Sequence, residues 1–492
     1  MIADDRRLVA ACMLGSFDGT VAPAWLLSRV RDGLGGVLLF AQNVVDDAQV
    51  AALCATLRAA REDVIIAIDE EGGDVTRLDA AHGSVVPSPA AFGVVDDVEL
   101  TRAAFARLGR RVRSLGIDLT LAPCADINSN PLNPIIGLRA FGPTADVVAR
   151  HAVAAVDGFR SAGLAVCLKH YPGHGDTSAD THLEPARITA SLDEMAAREL
   201  VPFGAAIARG ADAVLTAHLV ADALDGAPVS LSARWTEHLR RTTGFSGVVI
   251  TDALDMDAVA LGRGIDGVAD AAVTALAAGA DLLCLGSNFD DVMTETVINA
   301  TAAALATGGL DRSALCQSAS RIASLRQRAQ ANDGEEASDA VDAARIVASR
   351  AIHVDGPVPP GPYSVLECRP RLSMACFNVR WGVAEELAEL GWPTATITAK
   401  DPVEERCTRF VHEAGNRPVL VVVRDAEVHA WQRDVVQRIV ALRPVAVVVV
   451  EMGWPSADPV PGAIHVVTYG ASRSSADALI DRLVAHEIER TA

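Results

Sequence analysis

The sequence predicts an α/β protein: a (β/α)8 TIM-type barrel followed by a smaller doubly wound α/β sandwich domain. Three observations lead there. Eight short apolar runs, often β-branched, recur through the first part of the chain; alanine- and leucine-rich amphipathic segments separate them; and the polar residues that follow the runs fall at matching places. Strands buried on both faces and alternating with helices make parallel sheets. Eight of them in roughly 290 residues fit a closed barrel better than an open sheet.

The runs are Ala11–Leu14, Gly36–Phe40, Val64–Ile68, Ile117–Leu121, Leu164–Leu168, Ala213–Ala217, Gly247–Thr251 and Asp281–Leu285. Helices are predicted between them, for example over Val147–Ser161 and Leu192–Arg209. Asp69 follows the third run, Asp126 the fourth, Lys169 and His170 the fifth, His218 the sixth and Asp252 the seventh. In a barrel these are C-terminal strand ends and converge on one mouth; in an open sheet they would spread along an edge.

The barrel is assigned to residues 1–330 and a linker to 331–344, where Ala331–Ala340 carries no large apolar group. A second α/β pattern fills 345–492. Its expected strands are Tyr363–Glu367, Ala395–Thr398, Pro418–Arg424, Val445–Glu451 and Ile464–Tyr469, with a helix over Glu427–Leu442. It has no G-x-G-x-x-G turn and is given no nucleotide role. No internal repeat is evident.

Composition narrows the partners. With 43 basic and 63 acidic side chains, the formal charge is −20, which argues against nucleic-acid and anionic-membrane surfaces. Nine cysteines show no C-x-x-C pair; Cys54, Cys167 and Cys284 lie in apolar stretches and read as core thiols. A reducing compartment, the cytoplasm, is expected, with neither signal peptide nor membrane span.

The chemistry concentrates in Lys169-His-Tyr-Pro-Gly-His-Gly-Asp-Thr-Ser-Ala-Asp-Thr-His182, where Pro172, Gly173 and Gly175 break regular structure after a strand. Asp180 stands two residues before His182, close enough on a loop to orient the ring; the plainer alternative is a solvated loop histidine. His170, His174, Asp180 and His182 also form a conceivable zinc set, which the intervening Pro172 and Gly173 and the neighbouring Lys169 disfavour. Asp252, just past a buried strand, suits a rigidly held nucleophile or, equally, a helix N-cap. Asp69, Glu70 and Glu71 precede a diglycine, and Arg77 and Arg139 supply compensating charge. Together these residues outline a polyol or sugar pocket.

At these residues the chain resembles family 3 glycoside hydrolases, in particular their bacterial β-N-acetylglucosaminidase branch. The likeness runs from about residue 5 to 330 and, more loosely, to Pro461–Gly470. The Lys-His-Tyr-Pro-Gly-His-Gly-Asp block, its trailing Asp-x-His and Thr-Asp-Ala-Leu-Asp-Met carry it. The resemblance implies that Asp252 is the catalytic nucleophile, His182 the general acid/base and Asp180 its partner. It implies that Asp69, Arg77, Arg139, Lys169 and His170 bind the sugar, that no metal or other cofactor is needed, and that the substrate is a small-molecule amino-sugar glycoside. Oligomeric state is not legible.

The implied reaction is a retaining exo-hydrolysis of terminal N-acetylglucosamine from muropeptides or chitin fragments. Because a neutral histidine base does not repel an anion, phosphate can stand in for water as acceptor, making a phosphorylase the nearest variant. Two rival functions stand beside it: a family 3 β-glucosidase, which lacks the Asp-x-His loop, and a non-catalytic sugar-binding protein. One departure stands out. The family's usual Asp-Gln-Glu-Gly-Gly-Arg appears as Asp69-Glu-Glu-Gly-Gly-Asp74, which predicts a more negative pocket, with either a changed leaving-group preference or a bias against anionic substrates such as those bearing a lactyl carboxylate.

Overall fold

The computed structural model describes residues 2–178, 186–287, 289–331, 342–376, 378–443 and 446–491. The chain forms two compact units. One comprises Met1–Glu71, Thr101–Asn130 and Gly142–Ala340, the other Gly72–Leu100, Pro131–Phe141 and Val341–Ala492. Most of the expected linker lies outside the described residues. Its last part is ordered, with Asp342 capping helix Ala343–Arg350.

The first unit is a parallel barrel. Its strands are β1 (Met13–Gly15), β2 (Gly36–Leu39), β3 (Ile65–Ile68), β4 (Leu119–Thr120), β5 (Ala165–Tyr171), β6 (Ala213–Thr216), β7 (Val248–Thr251) and β8 (Leu283–Cys284). They pair in chain order, β8 returns to β1, and a parallel bridge between Ile250 and Leu282 joins β7 to β8. Every residue of these strands is buried, because one face packs the interior and the other receives helices. The eight apolar runs are these eight strands.

The predicted helix Leu192–Arg209 is two helices, Leu192–Ala197 and Leu200–Ala208. Pro202 explains the break. In one continuous helix its ring would meet the carbonyl of Arg198, four residues back, and Arg198 leaves helical geometry (φ −130°, ψ −80°).

A recurring device closes the N-terminal rim. Asp118, Asp212 and Asp281 each precede an even-numbered strand and follow a left-handed glycine by two residues (Gly116, Gly210 and Gly279). Each carboxylate accepts a backbone N–H from the preceding odd-numbered strand: Ile66 at 3.0 Å, Val166 at 3.2 Å and Val249 at 2.8 Å. Arginines neutralise all three: Arg58 and Arg113 at Asp118, Arg160 at Asp212, Arg240 and Arg321 at Asp281. This is a local repeat that whole-sequence inspection missed, because it spans only three residues at unequal intervals.

The second unit carries a six-stranded sheet: β9 (His353–Asp355), β10 (Ser364–Cys368), β11 (Thr394–Ile397), β12 (Val419–Val423), β13 (Val447–Glu451) and β14 (Ile464–Val467), ordered β9-β14-β13-β12-β10-β11. Only β9 runs antiparallel; it is short and largely exposed, and the sequence pattern gave no sign of it. Alternate residues feed two cores. Val365, Leu420, Val422, Val448 and Val450 face one, Leu366, Val421 and Val449 the other. The chain passes from β10 to β11 on one side, then returns to place β12 on the other, so the topological switch point lies between β10 and β12.

Candidate active site

The segment that leaves β3 is extended, so Asp69 and Glu71 point the same way while Glu70 turns from them. Lys169, near the end of β5, inserts its ammonium between those two acids, with Nζ 2.6 Å from Asp69 Oδ1 and 2.6 Å from Glu71 Oε1. Lys169 and Glu71 are buried and Asp69 is partly open. Asp69 is therefore the member of the cluster within reach of a ligand.

Asp126 organises the next layer. It is fully buried, and its oxygens accept the backbone N–H of His174 (2.6 Å), the backbone N–H of His170 (3.2 Å), the His170 Nδ1–H (2.7 Å) and the Cys124 thiol (3.0 Å). Burial alone would raise its pKa, but the His170 ring beside it holds the carboxyl well below the usual range. An ionised Asp126 fixes the proton of His170 on Nδ1 and leaves Nε2 on the other side of the ring. Cys124, Asp126 and His170 offer ligand atoms within 4.8 Å of one another. With both carboxylate oxygens already accepting N–H and S–H groups, the trio is a hydrogen-bond hub and a poor metal donor set.

His174 is buried and its Nδ1 lies 2.8 Å from Thr177 Oγ1, whose hydroxyl donates to the His174 carbonyl. Burial, then the charge of His170, pushes its pKa down to about 4. Gly175 permits this packing: a Cβ there would fall 1.6 Å from the Ile127 carbonyl oxygen.

Asp252 stands at the end of β7, half-buried, with Oδ1 accepting the Ala253 N–H at 2.8 Å. The next helix, Asp257–Ala260, is preceded by Met256, so Asp252 caps no helix and the N-cap alternative falls. His218, after β6, pins this strand end. Its Nε2–H donates to the Ala253 carbonyl (2.9 Å) and Ser230 Oγ donates to its Nδ1 (2.7 Å). Burial raises the Cys284 thiol, and after it the charges of Asp252, Asp255 and Asp69 act in the same direction. Asp252 and Asp69 thus share one electrostatic neighbourhood.

Arg77 and Arg139 belong to the second unit and are buried there. Arg77 Nη1 donates to the Ala375 carbonyl at 3.1 Å, and Arg139 Nη1 to the Ile135 carbonyl at 3.3 Å. Asp74 lies in the same unit with Arg424 Nη2 2.7 Å away. Burial pushes the Asp74 carboxyl up, while Arg424 and then Arg139 draw it down. The expected excess of negative charge at Asp74 is therefore answered by Arg424, on the strand end of β12, a pairing too distant in sequence to anticipate.

Of the residues singled out from sequence, the structure brings Asp69 to Lys169. It places His170 on Asp126 and Asp252 beside the His218 anchor. Asp180 and His182 lie outside the described residues. Glu71 was read only as one of three acids outlining the pocket and His174 only as a conceivable zinc ligand, while Asp126 and His218 were given no role beyond marking strand ends, although a polar residue directly after an apolar run was the available signal.

Residues 25–325 match the sequence profile described as the Glycosyl hydrolase family 3 N terminal domain. A beta-hexosaminidase of Xylella fastidiosa (strain M23) is 39% identical over 259 residues, covering 51% of this chain and 76% of that protein. Beta-hexosaminidase A of Pseudoalteromonas piscicida is 33% identical over 326 residues, or 61% of this chain, which spans only 54% of that relative. A solved family 3 β-N-acetylglucosaminidase from Paenibacillus sp. str. FPU-7 superposes with a TM-score of 0.86 at 30% identity, over 98% of this chain and 96% of that one. Among the described residues, no helix is long and apolar enough to cross a membrane.

Proposed function

Because the chain belongs to glycoside hydrolase family 3, we propose that it is a retaining exo-β-N-acetylglucosaminidase with Asp252 as nucleophile. The observation that carries this is the setting of Asp252: a strand-end carboxylate, held by the His218-anchored backbone and free of any capping duty. The names of its relatives support the sugar.

In this reading Asp69 and Lys169 hold sugar hydroxyls, with His170 presenting the ring edge that Asp126 leaves available. Asp252 attacks the anomeric carbon as His182, steadied by Asp180, gives its proton to the departing oxygen. The C1–O bond breaks and a glycosyl ester of Asp252 forms. Neutral His182 then takes a proton from water, whose oxygen bonds to C1 and releases Asp252. The substrates are N-acetylglucosaminides from muropeptides or chitin fragments. All nine cysteines are free thiols, which supports a cytoplasmic setting.

The test compares 4-nitrophenyl N-acetyl-β-glucosaminide with the corresponding glucoside, then a series of aryl N-acetylglucosaminides of rising leaving-group pKa, with products analysed with and without phosphate. Asp252→Asn is expected to lose turnover on all of them. His182→Ala is expected to retain far more activity on the best leaving groups than on the poorest; equal losses across the series remove His182 as the acid.

A further inference from the structure

We propose that the concavity lined by Arg369–Met374 and Asn378–Trp381 of the second unit is a binding site for a small organic anion, a phosphate or carboxylate carried on an apolar body. It lies where the chain leaves the C-terminal end of β10, beside the switch point between β10 and β12. Open α/β sheets hold their ligands outside the C-terminal ends of such strands. The concavity encloses about 520 Å³, ample for a molecule of that class.

Its wall is cationic. Arg369, Arg371 and Arg380 line it, and no acidic residue does so among the described residues, in a chain where acids outnumber bases 63 to 43. The carboxylates that partner two of these arginines are outside the wall. Arg369 is held by the fully buried Glu367 and by the Trp381 carbonyl (2.8 Å). Arg380 meets Glu385 (2.9 Å) and Glu386 (2.7 Å). Arg371 is exposed and makes no ion pair among the described residues.

The arginines are also prearranged. The Arg369 guanidinium stacks on the Trp381 ring at 4.9 Å, and Arg424 approaches the same ring at 5.1 Å, so Trp381 fixes two cations at once. These two guanidiniums already serve Glu367 and Asp74, so they hold the wall beside Arg371 in place and leave Arg371 to meet the anion. The rest of the lining is apolar: Leu372, Val379, Trp381 and Met374, a methionine that is 48% exposed. Met374 supplies an adaptable contact for a ligand body. Arg371 is the group left to meet the anion, with Arg369 and Arg380 flanking it.

Calorimetric titration of the full chain at low ionic strength tests the site with phenyl phosphate, benzoate, inorganic phosphate and phenol. Saturable binding of phenyl phosphate or benzoate is expected, weaker binding of inorganic phosphate and none of phenol; the stronger of the first two identifies the natural headgroup. Arg371→Glu is expected to weaken binding at least tenfold and leave aryl glycoside hydrolysis unchanged, with Arg371→Lys intermediate. Met374→Glu, which puts an acid on the apolar lining by a different residue, should weaken it likewise. No saturable heat from either aromatic anion, phenol binding as tightly as phenyl phosphate, or undiminished affinity in both folded variants overturns the proposal. These results do not depend on the chemistry at Asp252, which the hydrolysis assay reports separately.

Discussion

Asp126 accepts the Nδ1–H of His170 at 2.7 Å, and the same carboxylate accepts the main-chain N–H groups of His170 and His174. One buried side chain therefore sets both the ring and the backbone of the strand end that carries the candidate sugar contacts.

Asp126→Asn tests that dependence. The amide turns an NH2 group toward N–H donors, and each buried donor left unpaired costs about 1–3 kcal/mol. KM is expected to rise more than kcat falls, with at least a tenfold loss of kcat/KM. Nitrogen NMR should show the His170 proton no longer confined to Nδ1. A uniform fall in kcat with KM unchanged would assign Asp126 to stability alone.

Lys169 between Asp69 and Glu71 predicts strong coupling. Lys169→Met removes the ammonium that meets the buried Glu71 carboxylate and is expected to cost about 3–5 kcal/mol of unfolding free energy. Adding Glu71→Gln removes that charge, so the double variant should recover at least ~1 kcal/mol relative to additivity, measured by urea denaturation.

The buried His174 predicts a stability slope on the acid side. Its folded pKa, about 4, lies below the unfolded value of about 6.5, so the unfolded chain binds more protons between those limits. The contribution of neutral His174 is complete above about pH 6.5 and is lost as pH falls toward 4, by about 3 kcal/mol in all. His174→Gln should flatten that interval. Asp126, also depressed, contributes above about pH 4 and loses its contribution only below it.

Asp281 predicts destabilisation without loss of chemistry. Its carboxylate serves Arg240, Arg321, Ser318 and the Val249 N–H. Asp281→Ala is expected to cost about 3–5 kcal/mol while kcat, measured well below the unfolding transition, stays within about twofold. Thermal unfolding and steady-state kinetics on the same preparation separate the two.

Much of this was legible in the chain. Strands buried on both faces need continuous apolar runs, so all eight barrel strands and β10, β12 and β13 could be read directly, while the more open β11 and β14 were read from their β-branched residues. Strand β9 could not, because its exposed His353 and Asp355 bury little and pairing with β14 alone defines it. Asp69, Lys169, His170 and Asp252 declared themselves as polar residues at strand ends. Their partners did not: Glu71 looked like one acid among three, and Asp74 and Arg424 are 350 residues apart in a pairing that only the fold creates. The helix break at Arg198 was available from Pro202, whose reach back to that carbonyl was overlooked.

The three aspartates beneath β4, β6 and β8 have a consequence for remodelling the barrel. Each one staples an even strand to its odd predecessor from below, so the cylinder does not rely on its upper loops to stay shut. Those loops are thereby released to diversify. Exchanging the segments above the strands for those of a relative should preserve the scaffold, whereas splicing through a Gly-x-Asp turn should unravel a pair of strands together.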